Sequence, residues 1–165
     1  MERNHPMNSK TKARRDAHSD AKTILLVDDD PSVRSMIGRV LAGEGYHVLS
    51  AENGFEAIDL AAANSIDLVL LDLNMPGKGG WDTFERITSE NPNLAVVIIT
   101  AKPDQLFTAL AAGVGALLEK PLDFNLLLKT VADLLNEPVE LRLARLAGKR
   151  TILHYHSSTG TGSRA

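Results

Sequence analysis

Apolar residues in this chain occur in short continuous runs that alternate with segments of helical spacing. The first run, Thr23–Val27, is followed by three aspartates and a proline. The next apolar positions are Val33, Met36, Ile37, Val40 and Leu41. This spacing is typical of one face of an amphipathic helix, and Asp30 and Pro31 suit its N-cap and first turn. The pattern predicts a buried strand followed by a helix.

The same alternation repeats along the body of the chain. Further strands are predicted over 46–51, 67–71, 94–99 and 116–118, and further helices over 55–63, 81–89, 104–112 and 123–136. The strand segments are continuously apolar, as expected for parallel strands that are buried on both faces. Repeated strand–helix units predict an α/β fold, with a five-stranded parallel sheet flanked by helices on both faces.

The two ends of the chain differ from this body. Residues 1–22 are polar, and we predict a disordered basic arm there. The folded domain is predicted over 23–137, followed by a basic and partly flexible extension over 138–165. After Pro138 the apolar residues fit a strand or a helix, and 151–155 has the pattern of a short strand. The extension is too short for an ordinary DNA-binding domain.

Composition and charge narrow the classes of function. The net charge is −3, yet the body is acidic and both ends are basic. We expect the basic ends to be solvated, so we do not expect a nucleic acid as a partner. The chain has no cysteine, which excludes disulfides and thiolate metal sites. It shows neither a signal-like apolar run near its start nor a stretch long enough to span a bilayer, so we expect a cytoplasmic protein without membrane contact.

Polar residues with a shared chemistry follow the predicted strands. They are, in chain order, Asp28, Asp29, Asp30, Asp72, Thr100 and Lys120. Ligands of open parallel sheets bind at this edge, where the strands end. Clustered carboxylates repel one another unless a cation offsets them, and a hard ion such as Mg²⁺ suits oxygen ligands. An aspartate beside that ion is able to accept a phosphoryl group, with a lysine and a hydroxyl contacting its oxygens.

Four segments, in this order, resemble a known family. They are ILLVDDDP from Ile24, DLVLLDLNMPG from Asp67, IITA from Ile98 and EKPL from Glu119. Together they resemble the receiver domains of two-component response regulators over 23–136. The resemblance implies a flavodoxin-like strand order, 2-1-3-4-5.

The resemblance also implies a role for each site residue. Asp72 corresponds to the phosphorylated aspartate, and Thr100 and Lys120 correspond to the hydroxyl and the lysine that contact the phosphoryl group. The implied Mg²⁺ site consists of Asp28 (through water), Asp29, Asp72 and the backbone carbonyl of Asn74. The implied protein is not an enzyme toward other substrates, because it catalyses only its own phosphorylation and dephosphorylation.

The function implied is that of a single-domain response regulator in a two-component system or phosphorelay. A sensor histidine kinase or a histidine phosphotransfer protein would supply the phosphoryl group. A conformational switch would then act on a downstream protein. The family's usual output surface corresponds to about 104–136, where a homodimer is also a hypothesis.

The sequence departs from the family at one position. The family often has an aromatic residue three positions before the lysine, and this chain has Leu117 there. The usual coupling between the hydroxyl and an aromatic ring therefore lacks its ring at this position. Lys102 and Asn74 lie two positions beyond Thr100 and Asp72, where they would flank the phosphoryl group.

Three alternatives stay open at this point. The chain could be a binding module that is never phosphorylated, a metal-dependent phosphohydrolase with an aspartyl nucleophile, or a fragment of a longer regulator.

Several other residues have simple structural explanations. Trp81 and Phe107 are expected to pack at helix edges, and 77–80 lacks the order of a phosphate-binding P-loop. His154 and His156 alternate like a metal pair, but we expect them to be exposed. A solvated basic face is expected from Arg142, Arg145, Lys149 and Arg150.

Overall fold

The computed structural model describes residues 21–77, 79–148 and 154–157. The strands are β1 (Thr23–Val27), β2 (His47–Ala51), β3 (Leu68–Asp72), β4 (Ala95–Thr100), β5 (Ala116–Glu119) and β6 (His154–His156). The helices are α1 (Pro31–Gly43), α2 (Gly54–Ala63), α3 (Gly80–Glu90), α4 (Leu106–Ala111), α5 (Phe124–Leu135) and α6 (Val139–Leu146), with a 3₁₀ turn at Pro103–Gln105 before α4. The predicted basic arm falls almost wholly on 1–20, outside the described residues, so it stays a prediction.

All strands lie parallel in one sheet, in the order β2-β1-β3-β4-β5-β6. The predicted α/β class and the order 2-1-3-4-5 are therefore confirmed, and β6 adds a sixth strand beside β5. Parallel neighbours place the carboxyl ends of all strands on one edge of the sheet. This edge carries the polar residues singled out from the sequence.

Alternate residues of each strand enter two separate apolar cores. On one face, Leu25 and Val27 of β1 pack in a cluster that includes residues of α2, α3 and α4. On the other face, Ile24 and Leu26 pack in a cluster that includes residues of α1 and α5. All four side chains are fully buried, which explains why these strands are continuously apolar in the sequence.

Side-chain caps fix where the helices beside the site begin. The Asp30 carboxylate accepts hydrogen bonds from the Ser32 and Val33 N–H groups, at 2.7 Å and 3.2 Å, as the predicted N-cap of α1. Asp123 caps α5 in the same manner. These caps set the lengths of the loops that follow β1 and β5, and hence the positions of the acids and the lysine.

The segment after Pro138 forms a helix, and one expectation about it is wrong. Arg145 is 7% exposed rather than solvated. Its guanidinium donates to a Glu137 carboxylate oxygen at 2.7 Å and to the Gly113 carbonyl at 2.6 Å. Arg142 also donates to backbone carbonyls, those of Asn93 and Leu134. These bonds attach α6 to the loops before β4 and β5, whereas Lys149 and Arg150 lie outside the described residues.

The two aromatic residues expected at helix edges behave differently. Trp81 is half-buried and packs against the first apolar core, with its ring 5.6 Å from that of Phe84 in an edge-on contact. Phe107 is 82% exposed, so the expectation that it packs at a helix edge is wrong. In the part of the chain that the structure describes, no helix has the length and apolarity needed to cross a membrane.

Candidate functional site

The sheet brings the predicted site residues to one edge. Asp72 ends β3 and Thr100 ends β4, whereas Asp28 and Lys120 directly follow β1 and β5. Each of these strands is a neighbour of the next in the sheet. Four positions that are far apart in the sequence thus meet because parallel strands end on the same side.

Three carboxylates form a group with the spacing of metal ligands. Asp28, Asp29 and Asp72 each offer an oxygen, and these oxygens lie within 4.8 Å of one another. Asp28 and Asp72 are buried, at 1% and 2% exposure, and Asp29 is exposed. Two buried acids beside an accessible one are a donor set that fits a hard cation such as Mg²⁺, since the ion would offset their repulsion and keep part of its water shell.

The ammonium of Lys120 bridges two of these carboxylates. Its Nζ lies 2.9 Å from Oδ2 of Asp72 and 3.3 Å from Oδ2 of Asp28. Burial by itself lowers the pKa of Lys120, but the hydrogen bond and charge of Asp72, and then those of Asp28, outweigh burial and hold this pKa above its usual value. Lys120 therefore stays positively charged beside the acids.

The surroundings of Asp28 disfavour the ionised form of its carboxyl, because its pKa is raised. Its burial is the main reason why the pKa of its carboxyl is raised, and the charge of Asp72 adds to the rise. The hydrogen bond from the Asp30 N–H and the contact with Lys120 offset this rise only in part. A cation at this place would favour the ionised form of Asp28.

Backbone groups hold the remaining oxygens and orient the loops. Oδ1 of Asp72 accepts a hydrogen bond from the Asn74 N–H at 2.9 Å, and Oδ1 of Asp28 accepts one from the Asp30 N–H at 2.9 Å. The Arg34 guanidinium donates to the Asp28 carbonyl at 2.6 Å. Sequence reasoning gave Arg34 no role, although its place one turn into α1 is a usable signal for contact with the preceding loop.

Thr100 connects the site to the loop after β4. It is fully buried, and its hydroxyl oxygen accepts a hydrogen bond from the Lys102 N–H at 3.0 Å. Its carbonyl accepts the Lys120 N–H at 2.8 Å. The exposed Lys102 thus lies on the same turn as the hydroxyl, two positions beyond it, as the sequence indicated.

A hydrogen bond to the 3₁₀ turn that follows β4 was not predicted from the sequence. Nε1 of Trp81, in the first turn of α3, donates to Oε1 of Gln105 at 2.9 Å. Gln105 belongs to the 3₁₀ turn before α4. The bond therefore joins the start of α3 to the 3₁₀ turn before α4, over a sequence separation of 24 residues. No local signal in the sequence indicates it.

Leu117, which stands where the family often has an aromatic residue, is fully buried in the first apolar core. Its register partner on β6 is Tyr155. The Tyr155 hydroxyl donates to Oε1 of Glu119 at 2.6 Å, and the Ser157 hydroxyl donates to Oε2 of Glu119 at 3.1 Å. The hydrogen bond to Glu119 raises the pKa of Tyr155. Sequence reasoning missed these contacts, because they depend on β6 pairing with β5.

Of the two histidines, only the side chain of His156 belongs to the described residues, and it is not part of the carboxylate group. His154 and His156 alternate on β6, as the sequence indicated. Within the described residues, the group with metal-ligand spacing consists of Asp28, Asp29 and Asp72. His156 is half-buried rather than fully exposed.

Comparison with known sequences identifies a shared domain. The profile of the response regulator receiver domain matches residues 24–132. The chain is 37% identical to the transcriptional regulatory protein GlrR of Escherichia coli K12 over 117 residues, which are 69% of this chain and 26% of that protein. It is also 37% identical over 114 residues to the response regulator MprA of Mycobacterium sp. strain KMS, covering 68% of this chain and 50% of MprA. The chain thus spans between a quarter and a half of the length of these relatives.

Solved structures show the same fold. A CheY-like response regulator receiver domain protein from Methanospirillum hungatei superposes with a TM-score of 0.69 at 27% identity, covering 74% of this chain and 98% of that one. The response regulator TrrA of Thermotoga maritima, crystallised in complex with Mg²⁺ and BeF, superposes with a TM-score of 0.63 at 32% identity, covering 68% of this chain and 98% of TrrA.

Proposed function

The chain belongs to the family of response regulator receiver domains, and from that premise we propose that it accepts a phosphoryl group on Asp72 in an Mg²⁺-dependent reaction. Receiver domains are signalling domains of two-component systems. A sensor histidine kinase or a histidine phosphotransfer protein is the proposed donor. The proposal further holds that the chain acts as a single-domain regulator, without turnover of other substrates.

The observation that carries this proposal is the Lys120 ammonium between two buried carboxylates. Lys120 contacts Asp72 and Asp28 at the carboxyl edge of the sheet, beside the exposed Asp29. Burial of the Asp28 and Asp72 carboxylates costs free energy, which the shared ammonium and one backbone N–H bond to each carboxylate offset. Transfer of a phosphoryl group needs such a set of acids and a lysine, with one of the acids accessible.

The residues of the chain have distinct parts in the proposed reaction. An Asp72 carboxylate oxygen forms a bond to phosphorus while the phosphorus–nitrogen bond of the donor histidine breaks, and the imidazole leaves. Lys120 is already held 2.9 Å from Asp72, so its charge is in place to stabilise the oxygens of the transferring group. The Thr100 hydroxyl, which accepts from the Lys102 N–H, still has its proton to donate to a phosphoryl oxygen.

The proposed metal site uses the carboxylates that the structure brings together. Asp28, Asp29 and Asp72, with the backbone carbonyl of Asn74, would hold Mg²⁺. When bound, the ion supplies Lewis-acid stabilisation of negative charge on the phosphoryl oxygens. Asp30 is not one of these ligands, because its carboxylate caps α1.

The proposed output surface covers about 104–136, for a downstream protein or a second copy of the chain. Phe107 supports this proposal, since a phenylalanine at 82% exposure is a usual anchor for a protein partner. The edge of β5 within this range is paired with β6. Docking is therefore proposed on the faces of α4 and α5.

Intact mass after incubation with acetyl phosphate and Mg²⁺ tests the proposal. We expect the gain of one phosphoryl group, which is lost in Asp72→Asn and after addition of EDTA. Asp30→Asn is the matched control, because asparagine also caps a helix and the residue lies outside the carboxylate group. This variant should gain the phosphoryl group as the wild type does.

Other outcomes would favour the alternative functions. If neither acetyl phosphate nor any histidine kinase phosphorylates the chain, it is a binding module whose surfaces matter more than its acids. Sustained hydrolysis of phosphate monoesters would instead indicate a phosphohydrolase.

A further inference from the structure

The strand β6 brings two hydroxyl groups to the residue next to Lys120. The Tyr155 hydroxyl donates to one oxygen of Glu119 at 2.6 Å, and the Ser157 hydroxyl donates to the other at 3.1 Å. Glu119 is only 8% exposed. The Tyr155 bond has the short length of a charge-assisted hydroxyl–carboxylate bond, whereas the Ser157 bond is longer, so Tyr155 of β6 is the closer partner of Glu119.

Glu119 is also the last residue of β5, and Lys120 follows it directly. On the opposite side, the Lys120 N–H donates to the Thr100 carbonyl at 2.8 Å. The backbone that carries the lysine is thus held between β4 on one side and β6 on the other. Any loosening at Glu119 reaches Lys120 through a single peptide unit.

Both hydroxyls come from outside the segment that matches the family, which ends at residue 132. Two described parts of the extension are attached to the domain. α6 is attached by the buried Arg145, and β6 then pairs with β5 in register from Ala116↔His154 to Leu118↔His156. The extension therefore contributes contacts at the edge where the phosphorylation chemistry is proposed.

We propose that Tyr155 is a positioning residue for the phosphorylation site, acting through Glu119 to fix the end of β5 that carries Lys120. This inference rests on the proposed function of Asp72. It assigns to the C-terminal extension a part in phosphoryl uptake, because the placement of Lys120 beside the transferring group determines how well its charge is used.

The variant Tyr155→Phe tests the inference, since it removes the hydroxyl and leaves the ring. Tyr46→Phe is the matched control: it removes the same atom from the chain's other tyrosine, which packs against the core between α1 and β2. The first measurement is hydrogen exchange of the Lys120 amide, followed by NMR without any phosphodonor. We expect exchange about five-fold faster in Tyr155→Phe and unchanged in Tyr46→Phe.

The second measurement is the rate of phosphoryl uptake from acetyl phosphate with Mg²⁺. In Tyr155→Phe the rate at saturating donor should fall by about five-fold, whereas the half-saturating donor concentration stays the same. A purely structural role would leave the uptake rate of a folded Tyr155→Phe protein unchanged.

The outcomes separate this inference from the proposed function. An unchanged Lys120 exchange rate in Tyr155→Phe overturns the inference, whether or not Asp72 is phosphorylated. Faster exchange of the Lys120 amide with an unchanged rate of phosphoryl uptake also overturns it, because greater mobility of the Lys120 backbone would then have no effect on the reaction. If the wild type takes up no phosphoryl group, the proposed function fails, and the exchange comparison alone decides whether Tyr155 positions Lys120.

Discussion

At the scale of single residues, the site balances one ammonium against two buried carboxylates. Lys120 is 28% exposed in its side chain, whereas those of Asp28 and Asp72 are 1% and 2% exposed. The raised pKa of Asp28 shows that the ammonium does not fully offset the burial of this carboxyl. Loss of the lysine would leave two neighbouring buried carboxylates without a cationic partner, which is far more costly than loss of a surface ion pair.

We expect Lys120→Met to lower the free energy of unfolding by about 2–3 kcal/mol in the absence of Mg²⁺. Urea denaturation measures this change. Lys129→Met removes a lysine that is 72% exposed and paired with Asp133, and should change stability by less than about 0.5 kcal/mol.

A double-mutant cycle tests the origin of this cost. In the background Asp72→Asn, the loss caused by Lys120→Met should shrink, because one of the two unpaired charges is already absent. Equal losses in both backgrounds would contradict an ionic origin.

Some residues of the site could be predicted from the sequence and others could not. The acids, Thr100 and Lys120 were found because each follows an apolar strand, and parallel topology then brings strand ends together. Tyr155 was not found, because its contact with Glu119 requires knowledge of which strand pairs with β5. Phe107 was misjudged, since an apolar residue type does not reveal whether its helix face points to the core or to water.

At the scale of elements, α6 shows how a polar residue can attach a helix. Arg145 is buried and satisfies both the Glu137 carboxylate and the Gly113 carbonyl. Gly113 has a φ of 72°, which favours glycine at this turn, and a side chain there would approach Leu146. The helix is thus fitted to the loop before β5 by a charge and by close contact, rather than by a wide apolar face.

Arg145→Met should destabilise the chain by about 3 kcal/mol, because Glu137 would lose its close partner in a mostly buried place. Arg86→Met is the matched control, since Arg86 pairs with Glu90 on the exposed surface of α3. We expect this control to change stability by less than about 0.5 kcal/mol. Similar values for the two variants, measured by urea denaturation, would show that α6 is attached by other contacts.

The periodicity of the sequence predicted β1 to β5 and α1 to α5 within a few residues. The strands are continuously apolar because both of their faces are buried, and this signal is local. The form of the segment after Pro138 stayed open between strand and helix. The segment forms a helix in which Arg145 is buried against the distant loop that contains Gly113. The sequence alone does not indicate that this arginine is buried.

At the scale of the whole molecule, the sheet is asymmetric at its two edges. β2 forms one edge, and the three-residue β6 forms the other, beside the proposed output faces of α4 and α5. Short edge strands limit unwanted pairing with other chains. We therefore expect a partner to bind the exposed Phe107 side chain on α4 and not to pair with the edge of the sheet.

We expect the phosphorylated chain to self-associate more strongly than the unphosphorylated chain, through the surface that includes Phe107. Sedimentation velocity with and without acetyl phosphate measures the difference. Phe107→Ser should weaken association by about ten-fold or more, as loss of an aromatic anchor does, without changing phosphoryl uptake. Phe55→Ser is the comparison, because Phe55 is also exposed, at 65%, but lies on α2. A monomer under all conditions would leave a different downstream protein as the partner of this surface.

The hydrogen bond between Trp81 and Gln105 gives the protein a built-in optical probe. Trp81 is the chain's single tryptophan, so its emission arises from one known place. The indole N–H, at the start of α3, is bonded to the 3₁₀ turn before α4, and these two elements follow the loops after Asp72 and Thr100. Rearrangement of either loop changes the polarity around the ring, and hence the wavelength and intensity of its fluorescence. Stopped-flow recordings on the unlabelled protein would then follow loop movement in real time, with Gln105→Leu as the variant in which that signal is altered.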